Sequence, residues 1–366
     1  MSKQLFITDN FFDRCLKIFL FCLPIIWLPG FTQANLQMLF FNYGTLILFG
    51  LGILLPAKRE FKNYNILLIL SLSILISLLT NPHALSLSLL NIIFGCILYF
   101  IIVRTTRDVK GVIKVFLWLV CLNIGVAILQ IFGIDFLYKE KVICGLMAHK
   151  NHLAMFLALT SPMMISYSWL FALPIFILLF YIKCLSALIG FTVGVFILLY
   201  FKNTRFLYKA IIYSLLAIMI VLAFIKLPEY KTSSRLPVWN IMFKESLVNP
   251  FLGKGLDSFK ILASSISTVK TDVIISYNEY LRASFELGIL SVIVILLSLF
   301  KYYKNIFTQD NILCQIFLVS IITFLILAGF QDPLHITRLA IPFLVIMACL
   351  EIVCIDNQKK EEIHYD

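Results

Sequence analysis

Four short segments hold the residue types best suited to chemistry. The first is Gly145-Leu146-Met147-Ala148-His149-Lys150-Asn151-His152-Leu153-Ala154. Its two histidines, three apart, resemble a metal pair, but no acidic or thiol partner is placed with them, so no metal is expected. The second runs from Ser234 to Pro250 and reads as a helix, with Ser233 or Ser234 as cap and Pro237 near its start. Arg235 opens it, either facing a lipid head group or as an ordinary arginine on a packing helix. Leu236, Trp239, Met242, Phe243 and Leu247 recur at steps of three and four, giving one apolar stripe. Trp239 suits a membrane interface, so the helix is expected to lie on the bilayer surface. The third is Pro250-Phe251-Leu252-Gly253-Lys254-Gly255. Glycines around a lysine can turn backbone N–H groups toward an anion, although such a tripeptide is more often a plain turn. It lacks the spacing and following hydroxyl of a P-loop. The fourth places Asn278, Glu279, Arg282 and Glu286 at helical steps, so several share one face. That face is either an ion-paired helix entrance or the polar wall of a cleft.

The composition says what must position these residues. Of 366 residues, 61% are hydrophobic and only 13% charged, with a mean hydropathy of +0.99. A soluble domain is about half apolar and about a quarter charged. A soluble enzyme, a disordered chain and a disulfide scaffold are therefore excluded, and an all-α polytopic membrane protein is indicated. The formal charge of +11 does not suggest nucleic acid, because the basic residues sit in short clusters between apolar runs. Seven of the nine cysteines lie in or beside apolar runs and read as small buried hydrophobes. The apolar run after Arg14 lacks a small-residue cleavage site, so no cleavable signal peptide is expected.

About 20 residues make one span. Twelve apolar runs can be laid out: 15–33, 36–56, 65–80, 85–103, 112–134, 152–169, 171–182, 184–201, 209–227, 286–300, 312–330 and 338–355. Pro162 and Pro174 interrupt 152–182, which reads as two helices or one long kinked one. With the N-terminus inside, seventeen Lys and Arg fall on the inner side and five in short outer loops. This excess puts both termini in the cytoplasm. The organisation is then spans one to nine in 1–227, a long extracytoplasmic loop in 228–285 carrying short amphipathic helices, and spans ten to twelve with a short tail in 286–366. The long loop is nearly balanced in charge, so an anion site in it must be built from a few placed residues. Long loops are uncommon unless functional.

Taken together, His149 to Ala154, Arg235-x-x-x-Trp239, Asn249 to Gly255, and Tyr277 to Arg282 with Glu286-x-Gly288-Ile289 resemble the O-antigen ligase and polymerase superfamily of bacterial polysaccharide-assembly enzymes. The detailed match covers about 145–300. The resemblance implies a metal-independent, inverting glycosyltransferase of the inner membrane that needs no cofactor. Its donor would be an oligosaccharide on undecaprenyl pyrophosphate at the outer, periplasmic face. Its acceptor would be a sugar of the lipid A core for a ligase, or a second lipid-linked repeat for a polymerase. A pyrophosphate leaving group gathers negative charge, best met by Arg and Lys in a partly dry site. Arg235 matches the family's arginine ahead of the tryptophan. Lys150, Asn151, Trp239, Lys254, Asn278 and Arg282 are the further binding residues the resemblance implies, with His335 and Arg338 from the last outer loop. Many ligases have a histidine where Tyr277 stands, and tyrosine is a poor base at neutral pH. Either Glu279 or His149 substitutes, or leaving-group stabilisation dominates. Lys183 stands where relatives often carry an arginine opening the eighth span, and would supply that charge.

Two other classes compete with this reading. A lipid-linked oligosaccharide flippase fits twelve spans equally well, but the chain has no two-fold hydropathy repeat and almost no ionisable residue in mid-span. A non-catalytic scaffold of a polysaccharide assembly complex would make Arg235 dispensable.

Overall fold

The computed structural model describes residues 2–22, 34–54, 75, 79, 87–134, 143–147, 149–201, 235–259, 262, 276–306 and 311–365. Every regular element among them is helical, as the composition leads one to expect. In chain order these are α1 (Ser2–Phe21), α2 (Ala34–Leu54), α3 (Leu87–Thr105), α4 (Val109–Ile131), α5 (Lys150–Tyr167), α6 (Ala172–Ile182), α7 (Leu185–Phe201), α8 (Arg235–Val248), α9 (Glu279–Leu287), α10 (Ile289–Ile306), α11 (Ile312–Ala328) and α12 (Thr337–Tyr365). Single 3₁₀ turns, Trp169–Phe171 and Pro333–His335, precede α6 and α12.

The match to twelve spans is partial. Among the described residues, Val109–Ile131 and the Arg338–Gln358 part of α12 are long and apolar enough to cross a membrane. The helices Leu185–Phe201 and Ile312–Ala328 are apolar but shorter. The expected span at 209–227, and nearly all of that at 65–80, lie outside the described residues. Two boundaries differ from expectation. The helix expected from residue 15 begins at Ser2. The expected tenth span is two helices, because Gly288 ends α9 and α10 starts at Ile289.

The 152–182 region is two helices, and its prolines do not decide where they divide. Pro162 sits inside α5. A mid-helix proline cannot bond the carbonyl four residues back. Here the Ser161 hydroxyl donates to that carbonyl, on Ala158, at 2.7 Å, and the helix continues. The break comes at Ser168, whose extended backbone stops α5 and whose hydroxyl accepts from the Leu170 N–H at 3.3 Å.

α5 lies at the centre. Every side chain from Leu153 to Ile165 is buried, as expected of a helix with apolar or small residues on all sides. It packs on α7 and α11, which also pack on each other, while α12 packs on α3 and α11. Two glycines let α7 approach α11 closely. A Cβ on Gly194 would meet Thr323 Oγ1 at 2.6 Å, and one on Gly190 would meet Leu327 at 3.3 Å. This is the spacing by which small residues seat helices against each other.

A second anchor holds α1. The Asp13 carboxylate accepts the Arg107 N–H at 3.3 Å. Lys17 pairs with Asp108, which also caps α4 by accepting from the Gly111 N–H at 2.7 Å. The Lys17 hydrogen bond, ahead of the other contributions, holds the Asp108 carboxyl below the usual carboxylate range.

Gly194→Val tests the α7–α11 contact. Overpacking there should cost about 1–3 kcal/mol, read as a lower thermal unfolding midpoint in detergent. Gly125→Ala, in open space on α4, should hold or slightly raise the midpoint, since alanine favours helix by roughly 0.5–1 kcal/mol. Equal losses at both positions would refute the packing account.

Candidate functional site

The site is best built outward from α9. Asn278 caps it, its side-chain oxygen accepting from the Leu281 N–H at 3.0 Å. Tyr277, just before, is in the left-handed region (φ 52°). One face of α9 is buried and holds Glu279, Arg282, Phe285 and Glu286, which includes most of the polar face read from the helical spacing. Phe285 packs with Met242 of α8 and with Phe259, and Val238, Trp239 and Leu281 lie against this small core. The Trp239 indole N–H donates to the Ser276 carbonyl at 2.7 Å, which fixes α8 to the start of α9. The apolar stripe expected on α8 is divided. Met242 is buried and Trp239 half-buried, but Phe243 and Leu247 are exposed.

The Gly-Lys-Gly segment takes the turn conformation and closes the other end of α9. Gly253 and Gly255 have positive φ (61° and 93°). Lys254 donates its backbone N–H to the Phe285 carbonyl at 2.8 Å, and Gly255 to that of Glu286 at 2.9 Å. Those carbonyls belong to the last turn of α9 and have no partner within the helix. The approach requires both glycines at the crossing. A Cβ on Gly253 would lie 2.6 Å from the Glu286 backbone, and one on Gly288 would lie 2.7 Å from that of Phe251. The Lys254 and Gly255 N–H groups thus cap a helix instead of lining an anion nest. The Lys254 ammonium pairs with Glu245 at 3.0 Å on the exposed side.

The buried face of α9 meets the connection between α11 and α12. The Glu279 N–H donates to the Gln331 carbonyl at 3.2 Å, and the Glu279 carboxylate accepts from the Leu334 N–H at 3.1 Å. The Tyr280 hydroxyl donates to the Leu325 carbonyl at 2.6 Å. Burial, and next the Glu279 charge, push its phenol up to about 12. Arg282 donates to Glu286 at 3.2 Å, lies 4.0 Å from Asp332, and stacks over the Phe259 ring at 5.3 Å. Asp332 was not singled out in the sequence. Its signal was an acidic residue in a polar turn between two apolar helices, and only the fold shows which arginine it meets.

Arg338 carries the same connection to the histidine segment. Its guanidinium is buried and donates to the Met147 carbonyl at 2.7 Å. The loop around Met147 is held from α4: the Gln130 side chain accepts the N–H groups of Cys144 (3.0 Å) and Gly145 (2.8 Å), and Asn123 accepts that of Leu146 (3.1 Å). His149 caps α5, its Nδ1 accepting from the Asn151 N–H at 3.2 Å. The two histidine rings are 5.1 Å apart. Although His149 is exposed as a residue, desolvation and then the Lys150 charge lower its pKa below the ordinary value, so it is neutral at pH 7.

Most of the expected site residues thus lie on one chain of contacts: Lys254 through its backbone, Trp239, Asn278, Glu279 and Arg282, and then Arg338, with His149, Lys150 and Asn151 at its far end. Three are not tied into it, and one of them, His335, ends the 3₁₀ turn Pro333–His335 with its side chain outside the described residues. Lys183 ends α6 in the left-handed conformation (φ 59°) and is exposed. Arg235 is the first residue of α8, and its side chain lies outside the described residues. The two bases expected in place of Tyr277 are both engaged: Glu279 accepts a backbone N–H, and the accepting nitrogen of His149 holds a helix cap. Among the described residues, no group of three or more metal-donor side chains comes together. No protein-family model matches the chain, and no curated protein matches it.

The charges separate the two cationic segments. Around Arg282 two buried carboxylates, Glu286 and Asp332, face one guanidinium. Arg282→Ala should therefore cost about 3–5 kcal/mol, because it leaves buried carboxylates unmatched. Lys254→Ala, which removes only an exposed pair, should cost under about 1 kcal/mol. Thermal unfolding of the two variants in detergent distinguishes them, and similar losses would overturn the assignment of Arg282 as the buried anchor.

Proposed function

We propose that the protein transfers a glycan from a polyprenyl pyrophosphate to an acceptor sugar at the outer face of a bacterial inner membrane, as a surface-polysaccharide ligase or polymerase. One observation supports this reading above the rest. The segments of the superfamily resemblance lie far apart in sequence yet join through a single run of hydrogen bonds: Trp239 to Ser276, Lys254 and Gly255 to the end of α9, Glu279 to Leu334, and Arg338 to Met147. A chain that used these segments only as loops would have no reason to bring them together.

The membrane setting fits the side chains left outward. Trp118 on α4, Leu173 on α6, and Leu297 and Phe300 on α10 are exposed and apolar, as lipid-facing surfaces require. Phe243, Leu247 and Phe251 form an outward apolar surface on and just after α8, which suits a helix lying at the interface. In the proposed topology twelve spans place both termini in the cytoplasm, and the 228–285 loop and the 331–337 connection in the periplasm.

In the reaction, the acceptor hydroxyl oxygen attacks the anomeric carbon, the bond from that carbon to the pyrophosphate oxygen breaks, and the configuration inverts. Charge accumulates on the pyrophosphate. Arg235 is the leading candidate to meet it, with Lys150 and Lys183 as further sources of positive charge. Arg282 and Glu279 act as positioning residues, because their polar groups already hold α9 to the 331–334 turn. With Glu279 and His149 engaged, leaving-group stabilisation contributes more than a dedicated base, and the acceptor proton passes to water on the face opposite the pyrophosphate.

Complementation tests this. Wild type and Arg235→Ala are expressed in strains lacking either an O-antigen polymerase or a ligase, and lipopolysaccharide is resolved on a gel. Restored long ladders in the first strain identify a polymerase; restored core capping in the second identifies a ligase. Arg235→Ala, present at wild-type level in the membrane, should lose at least about 2.7 kcal/mol of transition-state stabilisation, a hundredfold drop, as removal of a charge-stabilising donor does. A fully active Arg235→Ala would remove Arg235 from the pyrophosphate site and favour the scaffold reading.

A further inference from the structure

Cys314 and Cys354 lie outside the site described above and meet across the α11–α12 contact. Cys314 is in the first turn of α11, three residues after its cap Asn311. Cys354 is in the later part of α12. Both are buried, and their Sγ atoms are 3.7 Å apart. A polar relay surrounds them. Asn311 donates to the Asn357 side-chain oxygen at 2.9 Å, and Asn357 donates to Cys314 Sγ at 3.6 Å. The helix surfaces just beyond are open, with Ile312 and Gln358 exposed.

We propose that Cys314 and Cys354 are a redox-active dithiol that reacts with a peroxide and closes to a disulfide joining α11 to α12. The proposal is independent of the glycan-transfer reading. Cys314 is the attacking sulfur, since the first turn of a helix favours negative charge there and the Asn357 amide donates to it. Its thiolate attacks the O–O bond of the peroxide. One oxygen becomes the sulfenic hydroxyl on Cys314, and the other leaves as water or alcohol carrying the thiol proton. The Cys354 sulfur then attacks the Cys314 sulfur, the S–O bond breaks, and the hydroxide departs as water with the Cys354 proton. Two thiols lose two electrons and the peroxide gains them. A disulfide bond is about 2.05 Å long, so the sulfurs must close by roughly 1.7 Å from their present contact, which side-chain rotation at the two cysteines can supply. The bond would fasten one end of a helix pair whose opposite connection carries Asp332 and Arg338.

Peptide mapping of the full chain in detergent tests this. The protein is treated with hydrogen peroxide, free thiols are blocked with N-ethylmaleimide, and peptides are read by mass spectrometry. The expected result in wild type is a cross-linked peptide pair containing Cys314 and Cys354, lighter by two hydrogens, while buried Cys96 and Cys349 remain thiols. In Cys354→Ser, dimedone should trap a sulfenic acid at Cys314. In Cys314→Ser, Cys354 should stay a thiol. Exposed Cys121 serves as the control that reagents reach the protein. Recovery of Cys314 and Cys354 as unlinked, maleimide-blocked thiols from peroxide-treated wild type overturns the proposal, and this readout does not depend on either variant folding. Dimedone trapping at Cys354 in Cys314→Ser would reverse the order of attack and overturn the role given to Asn357.

Discussion

A guanidinium buried to 7% exposure must be met by negative charge, because an unmatched buried ion is costly. Arg282 is that group here, and its pairing organises the α9 end of the molecule. Glu286, one turn on, supplies the near partner within α9. Asp332 comes from the connection between α11 and α12, so the same guanidinium ties α9 to that connection. The two Glu279 hydrogen bonds then set the register of the docking. The Gly253–Gly255 turn closes the last turn of α9, and Arg338 extends the same connection to the loop ahead of α5. Each contact presupposes the previous one, so α9 behaves as the keystone of a polar layer resting on a helical core.

Much of this was legible in the sequence where the interactions are local. Helical spacing put Glu279, Arg282 and Glu286 on one face, and all three are buried together. The all-helical architecture followed from composition alone. The failures share one physical cause. Hydrophobic spacing reports which side chains avoid water, without saying whether lipid or protein takes them up. On α8 it placed Met242 and Trp239 in one stripe with Phe243 and Leu247, yet the first two meet protein and the last two face outward. Long-range partners were equally hidden. A glycine-flanked lysine reads as a turn, but nothing nearby in sequence says that its N–H groups end on carbonyls thirty-one residues later. Asp332 went unnoticed for the same reason, since its value depends on an arginine fifty residues away.

The polar layer also redistributes the cationic residues that a pyrophosphate would need. On sequence alone Arg235, Lys150, Lys183, Lys254, Arg282 and Arg338 look interchangeable. Their surroundings make them unequal. Lys254 is paired with Glu245, and Arg282 faces two buried carboxylates, Glu286 and Asp332. An anion brought to the Arg282 face would meet more negative than positive charge in a poorly screened setting, where such interactions are strong. Arg338 donates to the Met147 carbonyl. It leads to the segment that carries His149, His152 and exposed Lys150 at the α5 end of the layer.

The layer thus has two unlike ends. Glu286 and Asp332 lie with Arg282 at the α9 end. Arg338 and exposed Lys150 lie at the α5 end. The 331–338 connection touches both. That connection is short and carries a proline at the first position of its 3₁₀ turn, which limits its backbone freedom. The proline restrains the segment that holds Glu279 on one side through the Leu334 N–H and Met147 on the other through Arg338.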